Sequence, residues 1–291
     1  MINHVVLVSG THGNELTGIY LNELIQQGLF SIERESFTSH RLIANPEAIA
    51  KGVRFIDNDL NRLFSDSNKP ELSSDSYEAS RAERIKGWYG DRKHHFVIDI
   101  HNTTSNMGTT FILLEQSSFY RKLAGYIKQA IPNANILFED QVSWEEHPYL
   151  CTVAPAGIMI EMGGHAHGVL QLDVLEATRN AVAATLDFIQ AYNSEALPTL
   201  PENIPAYRLL EEVSFPVNHE NKRLATVHPT LLGRDFLPLE LGEPLFSYFD
   251  GRDTYFDGSS TVYPHFINEA AYATSHIAMA LAEKFTFNPN D

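Results

Sequence analysis

Two short stretches of this 291-residue chain gather side chains that can do chemistry together. The first is Ser9-Gly10-Thr11-His12-Gly13-Asn14-Glu15-Leu16-Thr17-Gly18, directly after the apolar run His4-Val5-Val6-Leu7-Val8. An imidazole and a carboxylate three residues apart can grip one divalent metal, and His12 and Glu15 have that spacing. Such pairs are common by chance, so the pattern gains weight only in company. The second stretch, Asp99-Ile100-His101-Asn102-Thr103-Thr104-Ser105-Asn106-Met107-Gly108, again sets a histidine just past an apolar run. A further acid, Glu161, interrupts the apolar segment 156–162, and a carboxylate embedded there needs a reason. A catalytic zinc takes three protein ligands, two His and one Glu being a known set, and leaves a position for water or substrate. A carboxylate outside that set then takes the proton from the water, and Glu161 suits the role.

These residues need elements that bring them to one place. A β-branched run ending in a Ser/Gly/Thr/Gly cluster predicts a buried strand, a tight turn and a helix starting near Glu15. In open α/β sheets the carboxyl ends of strands are where ligands bind. Leu16, Ile19, Tyr20 and Leu24 give residues 15–27 an amphipathic helical face, and Gly28 suits its C-cap. Residues 37–45 read as a strand stopped by Pro46. Residues 54–64 mix arginines, aspartates and asparagines with apolar anchors at no regular period, which predicts a pinned binding loop. Residues 64–76 read as a surface loop, and 77–89 as a helix with Ala79, Ala82, Ile85 and Trp88 inward. Strands at 96–100, 110–114, 136–138 and 156–162 come with helices at 119–131 and 170–192, the last with Leu172, Leu175, Val182, Leu186 and Ile189 as its core face. The alternation predicts an α/β unit with a largely parallel sheet over residues 1–195. Three prolines in 193–205 mark a linker, and short apolar runs between turn signals predict a smaller β-rich domain over 196–291.

Composition excludes other classes. With 43% hydrophobic and 20% charged residues the chain is that of a folded, water-soluble protein. A net charge of -16, from 37 acids and 21 bases, repels a phosphate backbone and argues against nucleic acid. Any anion site must then be made locally by arginines. Cys151 is the single cysteine, so no intrachain disulfide forms and a reducing compartment is expected. There is neither an apolar run near the roughly 20 residues of a membrane span nor a basic leader, so no membrane partner and a cytoplasmic location are expected.

The blocks 10–18, 54–62, 99–108 and 160–163, continued by His228-Pro229, Asp235-Phe236, Pro238-Leu239, Thr261-Val262-Tyr263-Pro264 and Asn268-Glu269-Ala270-Ala271-Tyr272, resemble the aspartoacylase and aminoacylase III family. The resemblance spans nearly the whole chain in matching order. It implies a zinc carboxypeptidase-like fold, a mixed sheet flanked by helices with a smaller β-rich C-terminal domain, and hydrolysis of the amide bond of N-acyl amino acids, N-acetyl foremost. Carried over residue by residue, it implies that His12, Glu15 and His101 bind one Zn2+ per chain and that Glu161 activates water. Arg54 would polarise the scissile carbonyl, while Asn61 and Arg62 hold the substrate carboxylate and Tyr272 lines and closes the pocket. It also implies a homo-oligomer. Aspartoacylases of this kind carry an arginine shortly before the catalytic glutamate for the side-chain carboxylate of N-acetylaspartate. Here no arginine lies between Arg121 and Arg179, and ungapped counting puts Cys151 at that position. His147, Tyr149, His165 and His167 are the polar substitutes at hand. A succinylglutamate desuccinylase-like hydrolase is the enzymatic alternative. A non-catalytic metal or metabolite binder is the alternative from another class, and it predicts a lost ligand or base, whereas all four positions are intact.

Overall fold

The run His95–Asn102 is buried at every position, as a strand covered on both faces must be. The computed structural model describes residues 1–65, 75–89 and 94–291, so most of the expected surface loop at 64–76 lies outside the described residues. The elements run β1 (His4–Ser9), α1 (Leu16–Gln26), β2 (Thr38–Ile43), α2 (Pro46–Lys51), α3 (Tyr77–Tyr89), β3 (His95–Asn102), β4 (Thr109–Leu113), α4 (Ser118–Ala130), β5 (Asn135–Phe138), β6 (Ala156–Met162), α5 (Leu172–Asn193), β7 (Ile204–Ser214), β8 (Ala225–Val227), β9 (Pro244–Tyr248), β10 (Asp253–Tyr255), β11 (Tyr263–His265) and β12 (Ile277–Phe287). No described helix is long and apolar enough to cross a membrane.

A mixed nine-stranded sheet, in the order β11-β12-β7-β5-β4-β6-β3-β1-β2, forms the centre, flanked by helices. β2, β1, β3 and β6 are mutually parallel, whereas β4 runs antiparallel to β6 and β12 antiparallel to β7. β8, β9 and β10 form a separate antiparallel sheet over a second apolar core containing Phe215, Phe246 and Phe256. β12 supplies both cores, Met279 and Leu281 to the second and Ala282 to the first. The β-rich C-terminal part is thereby tied to the central sheet through β7, β11 and β12.

Several faces turn differently from what apolar spacing suggests. α1 buries Thr17, Gly18, Leu21 and Asn22, and leaves Tyr20 exposed. Polar Thr17 goes inward because its N–H and hydroxyl both bond Asn102, and Gly18 because a Cβ there would sit 3.1 Å from Ile100 Cβ. In α3, Glu78 faces inward with Ala82 and Ile85, while Trp88 lies outside beneath Arg81 and Arg84. Leu172 stands exposed at the start of α5, one turn ahead of its buried face. The Asn45-Pro46 stop does end β2, and it also starts α2: the Asn45 side chain caps the helix by accepting the Ala48 N–H, and Pro46 occupies the first turn.

Candidate active site

β1 ends in the Gly10–Glu15 turn, and this turn sits hard against α2. A Cβ on Gly13 would lie 2.1 Å from the Ala48 carbonyl carbon, so only glycine fits. Glu15 occupies the N-cap position of α1 without capping it. Its carboxylate instead turns toward His12, whose Nδ1 is 2.7 Å from Oε1, and toward His101, whose Nδ1 is 3.1 Å from Oε2. The Asn102 N–H also donates to Oε2, at 3.0 Å. The two Nδ1 atoms face each other at 3.3 Å, and all three residues are buried.

The outer ring nitrogens are held by acids. His12 Nε2 is 2.8 Å from Asp59 Oδ1, and His101 Nε2 is 2.9 Å from Asp99 Oδ2, whose other oxygen accepts from Thr11 Oγ1 at 2.7 Å. An acid on Nε2 keeps the proton there and leaves the Nδ1 lone pair free. Two lone pairs and a carboxylate aimed at one point repel one another unless a cation sits among them, so the donor set fits a divalent metal ion. Without one, burial works against charge on His101, but Asp99 and Glu15 beside it raise its pKa well above the ordinary value. Burial likewise opposes charge on Glu15, yet His12 and His101 lower its pKa well below the usual carboxylate range.

Glu161 is the cross-strand partner of His101 on β6, so the pleat puts both on one face. Its Oε2 is buried with no hydrogen-bond partner among the described residues. Burial pushes its pKa up to about 8, against the pull of His101 and with the push of Glu15. A carboxyl group in this state can take up or release a proton near neutral pH.

The loop at 54–62 builds the opposite wall. Arg54 donates to Glu15 Oε1 at 2.9 Å and to Asp59 Oδ2 through Nε and Nη2. Glu78 of α3 pins this loop by accepting the backbone N–H groups of Ile56, Asp57 and Asn58. The Asn61 side-chain oxygen accepts from the Leu150 N–H. Arg62 lies 5.4 Å over the Tyr149 ring and donates to the Asn61 carbonyl, with no acidic ion-pair partner among the described residues. Asn61, Arg62, Tyr149 and Tyr272 line one cleft with His12, Glu15, Arg54, His101 and Glu161. Every site residue read from the sequence therefore meets at this cleft.

Several others were not read from the sequence. Asp59 and Asp99 stand behind the histidines. Glu269 accepts from the N–H and hydroxyl groups of Thr104 and Ser105 and from the Thr103 hydroxyl, which docks the segment carrying Tyr272 onto the end of β3. Glu139 also lines the cleft and accepts from Tyr149 Oη at 3.0 Å, with burial raising its pKa to about 7. Of the polar substitutes for the missing arginine, only Tyr149 reaches the cleft lining. His147 stacks behind it, His167 lies against the Asn102 carbonyl, and Cys151 is buried.

Comparison with known proteins decides the family. Residues 1–189 match the family model described as "Succinylglutamate desuccinylase/Aspartoacylase catalytic domain" and residues 202–284 that described as "AstE/AspA barrel-sandwich hybrid domain". The chain belongs to the succinylglutamate desuccinylase/aspartoacylase family. It is 38% identical over 295 residues to the human N-acyl-aromatic-L-amino acid amidohydrolase (carboxylate-forming), covering 98% of this chain and 92% of that one. It is 37% identical over 299 residues to mouse aspartoacylase, covering 99% and 94%. The crystal structure of murine aminoacylase 3 superposes with a TM-score of 0.89 at 35% identity, covering 98% of this chain and 96% of that one. A succinylglutamate desuccinylase from Vibrio cholerae shares the fold at a TM-score of 0.63 and 20% identity.

Proposed function

We propose that this family member, an amidohydrolase, hydrolyses the amide bond of N-acyl amino acids, N-acetyl foremost, to a carboxylate and a free amino acid, with one catalytic Zn2+ per chain. The observation that carries this reading is Glu161, its buried Oε2 without a hydrogen-bond partner among the described residues, beside the convergent His12, Glu15 and His101 donors. Zn2+ held by those three would supply Lewis-acid polarisation and acidification of water. The other steps belong to this chain's side chains. Glu161 takes the proton from the attacking water and passes it to the leaving amine. Arg54 uses three of its five N–H groups on Glu15 and Asp59, and those remaining can meet the charge that develops on the acyl oxygen. Arg62 and the Asn61 amide hold the α-carboxylate of the substrate, and the Tyr272 hydroxyl completes the wall.

The charge of the cleft bears on the substrate. Arg54 is engaged by two acids, which leaves Arg62 as the cation for one carboxylate among the described lining residues, while Glu269 adds negative charge to the walls. N-acyl amino acids with neutral, including aromatic, side chains fit this balance better than N-acetylaspartate or N-succinylglutamate, whose further carboxylates meet no other guanidinium among the described lining residues. A substrate panel with and without chelator tests the reading. The expected result is chelator-sensitive hydrolysis with neutral side chains preferred; a preference for N-acetylaspartate overturns the substrate assignment, and full activity after metal removal overturns the zinc assignment. A reducing intracellular compartment accords with the lone, buried Cys151.

A further inference from the structure

The strands whose carboxyl ends lead to His12 and His101 also begin with histidines. His4 opens β1 and His95 opens β3, and the two are direct register partners. On β2, Thr38 lies opposite His4, so His40, two residues on, shares its face of the sheet. The ladder therefore brings three imidazoles from three adjacent strands to one spot. The His4 and His95 rings stack with centroids 4.5 Å apart, and His4 Nδ1 is 3.1 Å from His40 Nε2. One nitrogen from each ring can be chosen so that all three lie within 4.8 Å of one another. His95 is buried, and His4 and His40 are half-buried.

We propose that His4, His40 and His95 form a second metal site, holding one borderline divalent transition ion such as Zn2+, Ni2+ or Cu2+ and independent of the catalytic cluster. Three neutral imidazoles suit these ions and not Mg2+ or Ca2+, which select oxygen ligands. Two ring nitrogens 3.1 Å apart must share a proton or a cation, and the third ring makes the cation the tridentate solution. Because the ladder fixes the three Cα positions, convergence on one ion asks for side-chain rotation and no backbone movement. The net charge of -16 favours any cation. His95 and His101 stand six residues apart on one strand, roughly 20 Å at the usual rise, so ions at the two ends would not share ligands. An ion bound here would cross-link β2, β1 and β3 at their starts, which stabilises the fold as any native-state ligand does.

The test uses the full chain, stripped with chelator and equilibrated with Zn2+. Elemental analysis should find one more bound equivalent in the natural sequence than in the H4Q/H40Q variant, with the hydrolytic rate of the variant unchanged. Melting in Zn2+ should rise further above the metal-free value for the natural sequence than for the variant. Equal metal content and equal Zn2+-induced shifts overturn the proposal. A second measurement needs no variant: Zn2+ should protect His4 and His40 from diethyl pyrocarbonate, read by peptide mass spectrometry. Equal labelling with and without Zn2+ overturns it as well.

Discussion

The single residue with most at stake is Glu161, because its buried, unpartnered oxygen needs either a proton or a water to face. Glu161→Gln keeps the shape and removes the proton acceptor. The expected result is zinc content unchanged and kcat lowered by about 10²- to 10⁴-fold, the range for loss of a general acid–base group; retained turnover would sink the assignment. Asp99 acts one step back, since it sets the tautomer of His101 from 2.9 Å away. Asp99→Asn should weaken metal binding by about 10- to 100-fold in chelator competition, as loss of such an outer acid does. Activity should recover as Zn2+ is raised, a rescue that a merely misfolded variant would not show. Arg62 faces the other partner. Arg62→Ala removes charge-assisted bonds of about 1.5–3 kcal/mol, so KM should rise roughly 10- to 100-fold with kcat far less changed. An equal fall in kcat and kcat/KM would instead place Arg62 on the reacting atoms.

At the scale of elements, the site depends on how α3 clamps the loop at 54–59. Glu78 is buried and accepts from Asn45 Nδ2 as well as from three backbone N–H groups, and these bonds lower its pKa although burial opposes them. Glu78→Gln keeps one acceptor oxygen and turns an NH2 group onto two N–H donors, at a cost of about 1–3 kcal/mol. Faster amide exchange at 54–59 is the expected signature, with kcat falling at least tenfold because both Arg54 and Asp59 lose their support. Unchanged exchange there would show that the loop is held by other means. The same clamp shows what the sequence left unread. His12, Glu15, His101 and Glu161 were legible because each stands in or beside an apolar strand, among small polar residues that local pattern exposes. Glu78 was not, because it serves a loop some 20 residues away and sits on a helix whose apolar spacing pointed to Trp88 as the inner residue. α1 turned inward on Thr17 for a related reason, a buried bond to Asn102 that periodicity cannot register. β12 escaped notice altogether, since its pairing with β7 spans some 70 residues of chain and sequence pattern carries no sign of a partner so remote.

For the whole molecule, two buried groups at separate places set opposing slopes of stability with pH. His265 lies fully buried in β11, stacked on Phe236, and burial lowers its pKa to about 4 from 6.5. It stays neutral in the fold while the unfolded chain binds a proton below pH 6.5, so its contribution is complete above 6.5 and is lost as pH falls toward 4. Glu139 does the reverse, since burial raises its pKa to about 7 from 4.5. It keeps its proton in the fold while the unfolded chain releases one above pH 4.5, so its contribution is complete below 4.5 and is lost as pH rises to about 7. Each effect is on the order of 3 kcal/mol at most, and between pH 4.5 and 6.5 they largely cancel. Removing one group should therefore unmask the other. His265→Phe, which preserves the stack, should flatten the acid side and leave a melting temperature that declines from pH 4.5 to 7. Relative to the natural protein, Glu139→Gln, which still accepts from Tyr149, should lose less melting temperature as pH rises from 4.5 to 7. Thermal melts of the three proteins across pH 4.5–8 decide it. Variant profiles that merely run parallel to the natural one would show that neither group changes its protonation on folding.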